Sequence, residues 1–252
     1  KNHALILEDC DLDNTVSAVV NSSFGCAGMR CMALPVVVVQ ESIADEFVAK
    51  LKARAEVLKV GCAYDPETEM GALVTAEHKK SVEAWIQKGV DQGAKLVLDG
   101  RNYTVPGFEN GFFVGPTIFD HVKPEMSIGN DEIFGPVVCV KRVKDFDAGL
   151  ALMNNSPFAN GSSIFTQNGY YARRFELLTD GGMVGINVGI PVPTAYYPFS
   201  GNKNSFFGDQ HVLGLDGVRF FTRAKTVTKY WYDEHGKAKK EVDTWEGTVE
   251  RI

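Results

Sequence analysis

Short apolar runs and helix-period segments take turns along this chain, and no other feature restricts its fold as tightly. Residues 4–7 (ALIL), 33–39 (ALPVVVV), 95–98 (KLVL), 136–143 (PVVCVKRV), 162–165 (SSIF) and 183–187 (MVGIN) read as strands. Between them, 14–24 places Val16, Val19, Val20 and Phe24 on one helical face, and 42–60 does the same with Phe47, Leu51 and Leu58. Further helices are expected over 76–91, 145–153 and 170–178, with Asp11 or Asp13 capping the first and Gly93 stopping the third. Such alternation predicts an α/β fold, a mostly parallel sheet flanked by helices. Residues 99–116 are turn-rich, and from about 189 to 217 Gly, Pro and Phe replace any helical period. Residues 222–232 (TRAKTVTKYWY) alternate like an edge strand, which pairs either within the chain or with another subunit.

A length of 252 residues is ample for a real hydrophobic core. The net charge of -6 and scattered lysines argue against a nucleic-acid partner, since such binding rests on a basic surface. No apolar stretch approaches the roughly 20 residues that span a bilayer. The five cysteines are odd in number and form no CxxC pair or zinc spacing, so free thiols in a reduced, intracellular compartment are expected, with no metal. The sequence enters its first strand at once, without a starting methionine, as the C-terminal part of a longer polypeptide would. Neither a GxGxxG nor a GxxxxGK[ST] loop is present, so no nucleotide cradle is visible.

One thiol has a suggestive address. Cys31 sits in Phe24-Gly25-Cys26-Ala27-Gly28-Met29-Arg30-Cys31-Met32-Ala33, after a glycine-bearing turn, behind an arginine and just before an apolar run. An exposed thiol in an electropositive setting is what a cysteine nucleophile needs. By position alone, a small buried hydrophobe is the more ordinary reading. The five histidines belong to no recognisable motif, although spacing does not exclude a distant Cys–His pair.

Four stretches in order tip the balance. Gly28-Met29-Arg30-Cys31, Asp131-Glu132-Ile133-Phe134-Gly135-Pro136-Val137, Asn154-Asn155-Ser156-Pro157-Phe158-Ala159-Asn160-Gly161 and Pro198-Phe199-Ser200-Gly201-Asn202-Lys203-Asn204-Ser205 together resemble the C-terminal, catalytic half of the aldehyde dehydrogenase superfamily. Arg30, Met32-Ala33-Leu34, Asn187, Ile190-Pro191-Val192-Pro193 and Phe199-Ser200-Gly201 are most similar to its CoA-acylating methylmalonate-semialdehyde branch. Met29 departs from the family's usual glutamine, and Cys26 from a common alanine.

The resemblance implies an NAD-dependent oxidation of (methyl)malonate semialdehyde to acetyl-CoA or propionyl-CoA, with coenzyme A as co-substrate. Cys31 would be the nucleophile, passing through a thiohemiacetal and a thioester. Arg30 would bind the substrate carboxylate through paired hydrogen bonds, and Phe199 would wall the aldehyde pocket. Glu132 would hold the nicotinamide ribose hydroxyls, with Phe134 near the ring. Residues 1–212 would form the catalytic domain. Residues 213–252 would form an arm with an oligomerisation strand near 222–232 and a polar tail, joining a homodimer or tetramer. The NAD-binding domain, the oxyanion asparagine and a glutamate base would lie upstream of Lys1. The implied setting is the bacterial cytoplasm or the mitochondrial matrix. A hydrolytic aldehyde dehydrogenase, or a noncatalytic fragment acting only in assembly, stands as the alternative.

Overall fold

Four consecutive valines with no exposed surface need helices above and below them. The computed structural model, which describes residues 1–231, provides both covers. Its strands are β1 (His3–Ile6), β2 (Val36–Gln40), β3 (Lys95–Leu98), β4 (Thr117–Asp120), β5 (Val137–Val143), β6 (Phe158–Ala159), β7 (Gly161–Phe165), β8 (Met183–Ile186) and β9 (Asn202–Lys203). Its helices are α1 (Leu12–Phe24), α2 (Glu41–Glu56), α3 (Ala76–Asp91), α4 (Phe146–Asn154), α5 (Gly169–Leu178) and α6 (Gly214–Phe221).

The main sheet runs β3-β4-β5-β2-β1-β7-β8, parallel throughout except for the antiparallel β3–β4 edge. β1 lies centrally, with His3 opposite both Val36 and Ser162. Helices α1 and α2 pack on one another, as do α4 and α5, and both pairs reach the central strands. Polar caps set four helix starts. Asp11, Thr75, Asp145 and Asn168 side chains accept from the N–H groups of Asn14, His78, Ala148 and Tyr170.

The expected α/β architecture is present, with three local differences. Strand β4 was not visible in the sequence because its TIFD segment ends on a carboxylate. Asp120 is buried there because Arg142 Nε and Nη2 donate to it at 3.1 and 2.7 Å. Burial raises the Asp120 pKa, but the Arg142 hydrogen bonds, the His121 N–H and the nearby positive charge together hold the carboxyl below its ordinary range. Second, α6 occupies 214–221, where no helix was expected. Third, residues 222–231 form no strand among the described residues. The rest of the expected 222–232 strand lies outside the described residues.

The amino ends of four adjacent strands meet on one side of this sheet. Asn2 precedes β1, the Cys31 turn leads into β2, Gly135 and Pro136 precede β5, and Asn160 precedes β7.

Candidate active site

Helix α1 ends at Phe24, and the chain then makes a tight turn over 25–28. Cys26 (φ 52°, ψ 33°), Ala27 (φ 53°, ψ 35°) and Gly28 (φ 70°) are all left-handed. For the two non-glycine residues this costs on the order of 1–2 kcal/mol each, so the surroundings must hold the turn. At Gly28 they do so closely, because any Cβ would collide with the backbone carbonyl of Gly135. The Met29 N–H donates to the Cys26 carbonyl at 3.0 Å, and the Ala33 N–H to the Arg30 carbonyl at 3.1 Å. These reversals leave the Cys31 side chain exposed between them. Downstream, Leu34 is pinned to α1 by its N–H on the Ser22 carbonyl and by the Ser23 hydroxyl on its own carbonyl (2.6 Å).

Two asparagines fix the peptide that follows the thiol. Asn2 Nδ2 donates to the Cys31 carbonyl at 3.0 Å and the Ala33 carbonyl at 3.2 Å, while its Oδ1 accepts from the Gly161 N–H at 2.9 Å. Asn160 Nδ2 donates to the same Cys31 carbonyl at 3.2 Å. Asn2 therefore joins the starts of β1 and β7 to the cysteine turn. Sequence reading gave neither asparagine an individual role. A signal existed for Asn2, since a polar residue heading an apolar strand will be buried and must find partners.

The facing wall is the loop ahead of β5. Phe134 is left-handed (φ 60°), and its carbonyl accepts from His78 Nε2 of α3 at 2.8 Å. From behind, Lys1 Nζ donates to the Ile128 and Asp131 carbonyls at 2.9 and 2.7 Å, and Lys141 Nζ to Asn130 Oδ1 at 3.1 Å. Burial lowers the pKa of both lysines and raises that of the Cys139 thiol between them. Burial, reinforced by Lys141, takes His3 down to about 3, so it is neutral here.

Between these walls lies an open cleft of about 400 Å³. Cys31, Arg30, Glu132, Phe134 and Phe199 all line it, so the five residues singled out in the sequence share one space. Phe158 and Phe206 add further aromatic lining. Arg30 folds back over Gly25, where a Cβ would stand 2.7 Å from Nη1, and its Nε donates to Cys26 Sγ at 3.2 Å. Among the described residues its two terminal nitrogens have no hydrogen-bond partner; the Glu132 carboxylate has none either and meets Lys1 as a longer-range charge. Of the other thiols, Cys26 is exposed as well but does not line the cleft. Cys139 is fully buried and donates to the Ile128 carbonyl, and Cys10 and Cys62 are half-buried.

An exposed thiol, a guanidinium with a free edge and a free carboxylate in one aromatic cleft suit covalent chemistry on a small anionic carbonyl compound. Comparison with known proteins points the same way. Residues 1–227 match the sequence model of the aldehyde dehydrogenase family. A malonate-semialdehyde dehydrogenase of Pseudomonas aeruginosa is 49% identical over 232 residues, 92% of this chain and 47% of that protein. The crystal structure of a methylmalonate-semialdehyde dehydrogenase from Oceanimonas doudoroffii superposes with a TM-score of 0.89 at 45% identity, covering 92% of this chain and 48% of that one. A betaine aldehyde dehydrogenase from Staphylococcus aureus, solved in complex with NAD, gives 0.83 at 29% identity over 87% of this chain and 43% of its own. The chain spans about half the length of the curated relatives it matches.

Proposed function

The chain belongs to the aldehyde dehydrogenase family, and on that premise we propose that it supplies the covalent half of an NAD-dependent, CoA-acylating oxidation of malonate or methylmalonate semialdehyde. The observation that carries this reading is the placement of exposed Cys31 and the free guanidinium edge of Arg30 in one cleft. Arg30 docks the substrate carboxylate through its two terminal nitrogens, which points the aldehyde carbon toward Cys31. The thiolate adds to that carbon, and the carbonyl oxygen becomes the oxyanion of a thiohemiacetal. The Cys31 N–H has no protein acceptor among the described residues and is available to it. Asn2 and Asn160 hold the adjoining carbonyl, so the peptide does not swing as charge develops.

The residues on the facing wall fit NAD. Glu132, a carboxylate without a hydrogen-bond partner at the rim, can accept two vicinal hydroxyls, and the exposed Phe134 ring can pack against a flat heterocycle. NAD, when bound, supplies the hydride acceptor for the oxidation. Cys31 then carries the acyl group as a thioester, which remains open to the thiol of coenzyme A. The substrate's carboxylate leaves as carbon dioxide. The dinucleotide-binding region lies outside this chain in our reading, and residues 222–232 pair with a second subunit.

The test is product analysis on the whole enzyme given malonate semialdehyde and NAD, with and without coenzyme A. Acetyl-CoA formation that is lost in Cys31→Ala is expected. Undiminished turnover to a free acid without coenzyme A overturns the acylating assignment in favour of hydrolysis. Robust NADH production by the 252-residue chain alone overturns its incompleteness.

A further inference from the structure

The aromatic wall of the cleft comes from a segment with little secondary structure, and its two halves are held by different means. Residues 202–205 are tied to the β6 region by backbone pairing. Lys203 and Asn202 pair with Phe158 and Ala159, and the Ala159 N–H donates to Ser205 Oγ at 3.0 Å. The half after Phe206 has no such ladder. It returns through two backbone hydrogen bonds, the Phe199 N–H on the Val212 carbonyl (2.9 Å) and the Gly214 N–H on the Ala195 carbonyl (3.1 Å), and through His211.

His211 contacts three residues across the segment. Its Nε2 lies 3.0 Å from the Gly201 carbonyl, which can only accept, so that nitrogen carries the hydrogen. Its Nδ1 lies 3.3 Å from Asp216 Oδ2 in the first turn of α6, an oxygen that also only accepts, so this contact is a hydrogen bond in the doubly protonated ring alone; the His211 backbone N–H donates to the same oxygen at 3.4 Å in either state. Its ring packs on Phe206 with centroids 4.4 Å apart. We propose that His211 is a positioning residue for the aldehyde-binding wall, fastening Phe206 and the Phe199–Gly201 stretch to α6 without touching substrate itself. The inference rests on the reading of this cleft as the aldehyde site, and it assigns a role to a histidine that belongs to no sequence motif. Glu132 and Phe134 stand on the opposite wall, so the cofactor side is outside the reach of this fastening.

The prediction is therefore a split effect. In the whole enzyme, His211→Ala should raise the aldehyde KM about tenfold, equivalent to about 1.4 kcal/mol and the size of one or two lost hydrogen bonds. The KM for NAD and kcat should stay within about twofold. Phe206→Ala should raise the same constant, and the double variant should lose less than the two effects combined, because His211 acts through Phe206. An unchanged aldehyde KM, an equal rise for NAD, or additive losses would overturn the proposal. Should His211→Ala not fold, Asp216→Ala removes the oxygen that accepts from the His211 backbone N–H and should shift the aldehyde KM about threefold in the same direction; no shift refutes the role. Amide hydrogen exchange over 199–213 reports the wall independently of turnover. It should accelerate in either variant while 25–34 stays protected, and unchanged exchange also overturns the inference. Wild-type enzyme that oxidises no aldehyde would instead count against the function alone.

Discussion

Replacing Arg30 by leucine separates substrate recognition from bond making. The side chain lines the cleft and spends its Nε on Cys26 Sγ at 3.2 Å, which leaves Nη1 and Nη2 as two unspent donors. A carboxylate docked there gains two charge-assisted hydrogen bonds, each worth about 1.5–3 kcal/mol when dry. The cleft is open, so water competes, and about 3 kcal/mol for the pair is the appropriate figure. That corresponds to roughly 150-fold in kcat/KM. Propanal has no carboxylate and should lose less than about threefold, because leucine keeps most of the hydrocarbon stem. Initial NADH formation at subsaturating aldehyde, measured for malonate semialdehyde and propanal side by side, gives the ratio directly. Equal losses on both substrates would show that Arg30 supports the turn or the thiol and does not read substrate charge. Cys26→Ala frees Nε and should produce a smaller selectivity loss of the same sign, about two- to fivefold.

Three other outcomes follow from the geometry. Gly28→Ala puts a Cβ into the Gly135 carbonyl at φ 70°, so the cysteine turn must lift away from the facing wall; kcat/KM should fall at least about tenfold with slower Cys31 alkylation by iodoacetamide, and a wild-type alkylation rate refutes the coupling. Asn160→Ala removes one of the two donors on the Cys31 carbonyl, which should lower kcat about fivefold and leave the NAD KM in place; a pure KM change would contradict an orienting role. His3 is neutral when folded, with a value of about 3 against 6.5 in the open chain, so nothing is lost above pH 6.5 and stability falls as pH drops from there toward 3. The loss is about 2 kcal/mol at pH 5, and urea midpoints of His3→Gln should flatten between pH 7 and 4 relative to wild type; parallel curves would refute it.

Much of the scaffold was legible because periodicity and caps agreed. Residues 76–91 and 95–98 fall within the bounds read from sequence, each ended by a local signal such as Gly93 at φ 83°. What was hidden depends on partners far along the chain. Strand β4 ends on Asp120, whose burial makes sense only with Arg142 beside it. Helix α6 carries Gly214 and Gly217, poor helix formers, and lies where a Gly-, Pro- and Phe-rich stretch hides any period. Within the site, motif positions identified which residues share the cleft. They gave no hint that Cys26 and Ala27 are left-handed, since neither is a residue that favours that conformation.

The position of the site explains where its backbone donor comes from. Open parallel sheets commonly bind ligands beyond the carboxyl ends of their strands. Here the amino ends of β5, β2, β1 and β7 line the reacting space. A chain segment about to enter a strand has N–H groups not yet engaged in the ladder, and the Cys31 N–H is such a group. Its neighbouring carbonyl is taken by Asn2 and Asn160, both anchored at starts of other strands. Under the proposed function, the sheet would thus hold one end of the Cys31–Met32 peptide and leave the amide ahead of it free to meet a developing oxyanion. Preorganisation of that kind comes from where four strands begin, and a substitution at Asn2 or Asn160 should therefore act on the charged intermediate more than on aldehyde binding.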